Sequence, residues 1–290
     1  MGCVTEQPVA APAAGPPAQE LRADCASCFA LCCVVPAFTA STDFAITKPA
    51  GRPCLHLAGD FRCGIHTRLR ERGFRGCTVY DCFGAGQQVS QVTFGGHDWR
   101  SAPATARQMF TVFPVMRDLH ELLWYLTQAL PLAPTGSAHA RLRADLERAF
   151  AAITALTRGD PADVAAVDVD AQRQAVNPLL VRASAHARAA AGPRLIDHRG
   201  ADLAGARLRG ADLRGASLRG ALLIGADLAA TDLRLADVTG ADLRDACLDG
   251  ADLSTTLFLR QSQLDAARGD AATVLPPGLA RPAHWPAGLT

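Results

Sequence analysis

The chain has 290 residues, 49% of them hydrophobic, and a formal net charge of +1. That length suits two domains, or one domain plus a repeat array, and the apolar content excludes wholesale disorder. The near-neutral charge argues against a broad basic nucleic-acid surface and against an acidic tail; Lys48 is the only lysine, so the positive charge is almost all arginine.

Residues 1–20 are rich in Pro, Ala and Gly and read as a disordered tail. They have no basic and apolar leader pattern, and Glu6 stands where a myristoylation signal wants Ser or Thr. Cys3 belongs to this tail. The apolar run 28–40 is too short to span a bilayer and contains Pro36, so no membrane partner is expected. The default location is then the cytoplasm, where clustered thiols bind metal or do redox work more often than they form disulfides.

Residues 21–100 hold eight of the ten cysteines and many glycines without a long helical period, which predicts short turns, short strands and knuckles. Four thiols fall within nine positions, in CASCFALCC. On a helix, Cys25, Cys28 and Cys32 would share an arc of about 60°, with Cys33 about 80° from Cys25 on the other side. If the segment is extended, the adjacent pair would point to opposite faces. Two neighbouring ligand sets are therefore more natural than one.

Further donors follow in PCLHL (Cys54, His56), RCGIH (Cys63, His66) and GCTVYDC (Cys77, Cys82). Zinc takes four S or N ligands, and a four-iron cluster takes four thiolates. Eight cysteines fit two such sites, one cluster plus one zinc, or a single site with thiols in reserve. The candidate ligands are Cys25, Cys28, Cys32, Cys33, Cys54, Cys63, His66, Cys77 and Cys82; His56 and His97 read as ordinary surface or core residues. The glycine-rich stretches FGAGQQ (83–88) and FGGHDW (94–99) match no phosphate-loop pattern and read as turns beside the metal core. HELLW (120–124) lacks the second histidine of a zincin helix.

Residues 101–192 predict a bundle of three to five helices. Met109, Phe110, Phe113, Met116, Leu119, Leu123 and Leu126 recur at steps of three and four, with Pro114 set to kink or split their helix. Leu142, Leu146, Ala149, Phe150, Ile153 and Leu156 repeat the pattern from about residue 137, with Gly159 placed to end that helix. Asp160-Pro161 reads as the next helix start, and the helical stretch closes at Gly192.

From residue 193 to about 260 the period becomes five. Eleven units between 201 and 255 carry Leu at the third place (Val238 excepted), Ala at the first (Thr231 excepted) and Gly at the fifth in seven. This period suits neither helix nor plain strand but suits a solenoid: Leu and Ala inward, Gly turning the corner, Asp and Arg outward. Units ending in Ala230, Leu235, Asp245 and Thr255 mark corners expected to be distorted or contacted. Cys247 occupies an outward place. Residues 261–290 read as a capping helix, a stop at Gly269 and a Pro-rich tail.

These units resemble the pentapeptide-repeat family, and the resemblance implies a short right-handed quadrilateral β-helix with four units per coil. Some members of that family mimic DNA at a topoisomerase, but this array is short and mixes nine Asp with six Arg. The cysteine segments resemble the zinc- or iron-chelating cysteine-cluster family in the C-x2-C-x3-C-C block, in CLHL, in RCGIH (with His66 where Tyr is usual) and in a final Cys77 or Cys82. That resemblance implies a bound metal and no established reaction.

The whole reads as a multidomain α+β protein: a metal-bound Cys-rich domain, a helical bundle and a β-helix. The expected function is that of a cytosolic, non-enzymatic zinc protein with a scaffold or docking module. A protein partner would meet its repeat or bundle surface, and the oligomeric state is left open. The alternatives are an iron–sulfur redox protein or sensor and, third, a topoisomerase-binding mimic.

Overall fold

The computed structural model describes residues 21–133 and 140–286. The tail at 1–20 with Cys3, and the first residues of the helix expected from 137, lie outside the described residues. In chain order the helices are α1 (Leu31–Val34), α2 (Arg75–Thr78), α3 (Ala85–Gln87), α4 (Pro103–Ala129), α5 (Ala140–Thr157), α6 (Pro161–Ala165), α7 (Val169–Arg188) and α8 (Gln261–Ala266). Among the described residues none of them is long and apolar enough to cross a membrane.

The α4 helix organises the middle of the molecule. Met109, Val112, Phe113, Met116, Leu119, Leu123 and Leu126 are all buried on it. It packs against α5, α6 and α7. It runs for 27 residues through Pro114, so the helix is not split there. An interior proline costs about 3 kcal/mol, whereas each fully buried large apolar side chain contributes about 1.5–3 kcal/mol. Continuous burial along the stripe outweighs the single fault.

The short α6 begins as Asp160-Pro161 suggests, with Asp160 Oδ1 accepting from the Ala162 and Asp163 N–H groups. Asp168 caps α7 in the same way through Ala171. Gly159 is not in the left-handed region, but Gly192 is, at φ 121°.

The five-residue units form a coil, but the described residues contain no multi-residue strand or sheet. The expected β-helix strands are replaced by single-residue bridges. Each unit has room for one extended residue before the next corner turns it, too few to make a strand. The bridges are parallel and join residues twenty apart: Asp202–Leu222–Asp242, Arg207–Asp227–Cys247, Asp212–Asp232–Asp252 and Asp197–Ser217–Asp237–Leu257. Four units therefore complete one turn. Leu218, Leu223, Leu228, Ala216, Ala221 and Ala226 fill the inside with no exposure.

The corner glycines take φ near 65°, as at Gly205 (64°) and Gly225 (64°). Ala230, Leu235 and Asp245 keep that conformation, at 54°, 58° and 55°, so these corners are not distorted. Asp245 is contacted, as expected, by Arg75 from α2 at 2.6 Å.

The coil also continues past its expected end. Beyond α8 the chain returns to bridge Cys247 with Arg268 and Asp252 with Val274. Trp285, 5% exposed, closes this end, its Nε1 donating to the Ala267 carbonyl at 3.1 Å. Gly269, expected to stop a helix, instead makes room for that ring: a Cβ there would stand 2.6 Å from it.

One side of the coil, bearing Ser217, Asp237 and Leu257, is buried. Above it, Ser184 of α7 donates to Asp237 Oδ2. Arg219 reaches Asp237 at 3.1 Å, Thr239 Oγ1 at 2.9 Å and Asn177 Oδ1 of α7 at 2.8 Å. Bundle and coil are thus joined through a buried carboxylate.

Candidate metal centre

Residues 25–30 are not helical. Ala30 adopts a left-handed φ of 55° and only then does the single turn of α1 begin. The helical-arc arrangement therefore applies to Cys32 and Cys33 alone. The bend is held from the other side, because Phe29 N–H donates to Ser90 Oγ at 3.0 Å and Trp99 Nε1 donates to the Phe29 carbonyl at 2.8 Å.

Folding gathers the remote cysteine segments around this bend. Cys54 N–H donates to the Cys33 carbonyl at 3.0 Å. Cys63 is brought back by a bridge with Leu57. The glycine-rich stretch 83–88 packs directly on the thiols. A Cβ on Gly86 would stand 2.6 Å from Cys28 Sγ and 4.0 Å from Cys82 Sγ.

The thiols influence one another, Cys25 and Cys32 both feeling Cys33. Cys77 is an exposed residue; its thiol is raised first by the partial burial of the sulfur and then by the Cys33, Cys54 and Cys63 sulfurs. Cys63 is raised by burial and then by Cys33, Cys54 and Cys25. Burial raises Cys28 to about 11, with Cys82 and Cys25 contributing. Cys82 is likewise raised by burial, with Cys25 adding to it. Cys32 is raised first by its hydrogen bond to Cys33, then by burial and by Cys33, Cys28 and Cys82.

That bond lowers Cys33, with Lys48 helping against burial. Cys25, an exposed residue, is felt by both Cys28 and Cys63.

Among the described residues no cysteine is in a disulfide. As they stand, no three described His, Cys, Asp or Glu side chains are gathered tightly enough to hold one ion. By donor type and number these thiols fit zinc or an iron–sulfur cluster; their present spacing is not that of a coordination shell. His66 is exposed, one short turn after Cys63, its N–H donating to the Cys63 carbonyl at 3.2 Å. His56 stands edge-on to Phe74 at 5.1 Å, and His97 is exposed. Cys247 is partly buried on an outward bridge position.

Two residues gain meaning only from the fold. Lys48 is 4% exposed, and its ammonium donates to the Val34, Pro49 and Arg52 carbonyls at 2.8, 3.1 and 2.9 Å. It thereby ties the segment after Cys33 to the segment before Cys54. The signal was there in its being the lone lysine among 29 cationic side chains. His120 is 4% exposed, its Nδ1 is 2.8 Å from the Phe83 carbonyl, and burial lowers its pKa to about 4. It holds the chain just after Cys82 against α4 as a neutral ring.

Comparison with known proteins places this architecture. The model of the Pentapeptide repeats family matches in eight copies over residues 199–234 and 221–258. The uncharacterized protein YybG of Bacillus subtilis (strain 168) is 53% identical over 270 residues, which span 92% of this chain and 95% of that protein. The likeness therefore extends well beyond the coil into the cysteine-bearing and helical parts. On this evidence the chain is a pentapeptide-repeat protein and belongs to one family with YybG.

Proposed function

We propose that the protein is a metal-binding scaffold, in which the cysteine segments hold metal and the coil with its bundle offers a docking surface. One group of ligands would be Cys33, Cys54, Cys63 and Cys77, with His66 beside it. The other would be Cys25, Cys28, Cys32 and Cys82. Zinc there would be structural and redox-inert, whereas an iron–sulfur cluster would add one-electron chemistry. The observation that supports this reading is that folding brings separate cysteine segments together: Cys54 N–H donates to the Cys33 carbonyl, and the Cys28 and Cys82 sulfurs both lie against Gly86.

The chain's own residues do the positioning. Lys48 clamps two of the segments, Gly86 lets α3 close on Cys28, and Asp245 receives Arg75 so that the cysteine region rests on the coil. The docking role is supported by the repeat family and by the exposed Asp202, Arg207 and Asp212 of the coil's first turn. The topoisomerase-mimic reading loses ground because the fourth side is buried.

The test is metal analysis of protein purified without oxygen. About two equivalents of zinc in colourless protein support the zinc form, and brown protein with iron and sulfide supports the cluster form. Cys28→Ser and Cys77→Ser should each lower the metal content by about one site's worth. Metal-free wild-type protein with an intact fold would defeat the proposal.

A further inference from the structure

The two ends of the coil differ. At the C-terminal end, Gln263 Nε2 of α8 donates to the Val238 and Ala241 carbonyls at 3.0 and 2.9 Å, and Trp285 covers the last turn. At the N-terminal end, Asp202, Arg207 and Asp212 each make one bridge, to the next turn. Leu222, Asp227 and Asp232 make two. Among the described residues, the N–H and C=O groups of Asp202, Arg207 and Asp212 have no backbone partner. Leu203 and Leu208 are only partly buried, whereas their counterparts one turn on, Leu223 and Leu228, are fully buried. An open row of backbone groups beside incompletely covered leucines is a template for another chain.

Charge says which chain. Two sides of this first turn are locally neutral: Asp197 with Arg199 at 4.0 Å, and Asp212 with Arg214 at 3.8 Å. The other two adjoin and are opposite in sign. Asp202 has no arginine two residues on, and Arg207 and Arg209 make no ion pair among the described residues. Between them lies the corner at Gly205, where an added Cβ would meet nothing within 4 Å.

We propose that this end is a self-association surface on which a second copy of the chain seats, end to end, about a two-fold axis through that corner. The axis sets Asp202 against Arg207 of the partner subunit and Arg207 against Asp202 of the partner subunit. It also sets the two neutral sides against each other. Because the opposite end is closed, head-to-tail growth is blocked and assembly stops at two.

Sedimentation equilibrium of the full chain, with reductant present so that thiol cross-links do not contribute, tests this. Between about 1 and 100 µM the mass should rise toward twice the 30.4 kDa of one chain, more readily at low salt. Arg207→Glu and Asp202→Arg should each weaken association by about tenfold or more, and the double exchange should restore it. Far-UV circular dichroism unchanged from wild type, and urea unfolding unchanged at concentrations where the wild type is monomeric, would show that the variants fold. A chain that stays at the monomer mass throughout, forms larger assemblies, or dimerises indifferently to both substitutions overturns the proposal. None of these outcomes depends on metal content.

Discussion

Replacing Asp237 with alanine should loosen the helical bundle from the coil. Asp237 has no exposure. Its carboxylate accepts from Ser184, from Arg219 at 3.1 Å, and from the Thr239 N–H and hydroxyl at 2.9 and 2.6 Å. Without it, the Arg219 guanidinium, whose side chain is 12% exposed, keeps only neutral acceptors on Asn177 and Thr239.

Removing one member of a buried ion pair costs about 3–5 kcal/mol. The surviving acceptors and the partial exposure place this case at the low end, about 3 kcal/mol. With a denaturant slope of about 3 kcal/mol/M for a chain of this size, the urea midpoint should fall by about 1 M. Asp237→Asn keeps an acceptor for Thr239 and should cost about 1–2 kcal/mol. Arg219→Met, which strands the carboxylate, should again cost about 3 kcal/mol, and the Asp237→Asn/Arg219→Met double variant less than the sum of its parts. A loss below about 1 kcal/mol for Asp237→Ala, or strict additivity in the double variant, would refute the reasoning.

His120 supplies a pH dependence. Its folded pKa is held near 4, below the ordinary 6.5, so the unfolded chain binds a proton that the folded one does not as pH falls. The contribution is fully present above pH 6.5 and is lost progressively toward pH 4, about 3 kcal/mol in all. Urea titrations from pH 7.5 downward should show that slope, and His120→Gln should flatten it. Lys48→Met leaves three carbonyls without their shared donor and should cost at least about 2 kcal/mol, read by thermal melting together with metal content. Gly269→Ala drives a methyl into the Trp285 ring and should cost about 1–3 kcal/mol, with a change in Trp285 emission.

The periodic parts of the molecule could be read from residue order alone. Leu at the third place of every unit but one and Gly at the fifth place of most force a coil, and the helix-face spacing from Met109 to Leu126 predicts α4. The misreadings have local causes. Pro114 weakens a helix in isolation, but Met109, Val112, Phe113 and Met116 around it are buried against Leu31, Ala85, Val89 and Val164, and Leu119 to Leu126 beyond it against α5 and α7. The return at Arg268 and Val274 breaks the five-residue register because α8 is inserted before it, so the periodicity no longer announces the coil.

The left-handed φ of Ala30 removes the helical option for Cys25 and Cys28, and no pattern in CASCFALCC signals that φ. The crowding of thiols is only half legible: the approach of Cys28 and Cys82 to Gly86 and the return of Cys63 to Leu57 depend on packing that no local pattern announces.

The twenty-residue spacing of the bridges also shapes how the molecule is made. Every rung joins near neighbours along the chain, so the coil can add one turn after another with a small loop-closure cost each time. The contact between Arg75 and Asp245 spans 170 positions. Contacts that distant form late and slowly. The coil should therefore mature first and the cysteine region settle onto it afterwards, as a separate and slower event. Pulse-labelled amide exchange would record it as protection at residues 218–248 preceding protection at 54–82; the reverse order would rule out this assembly route.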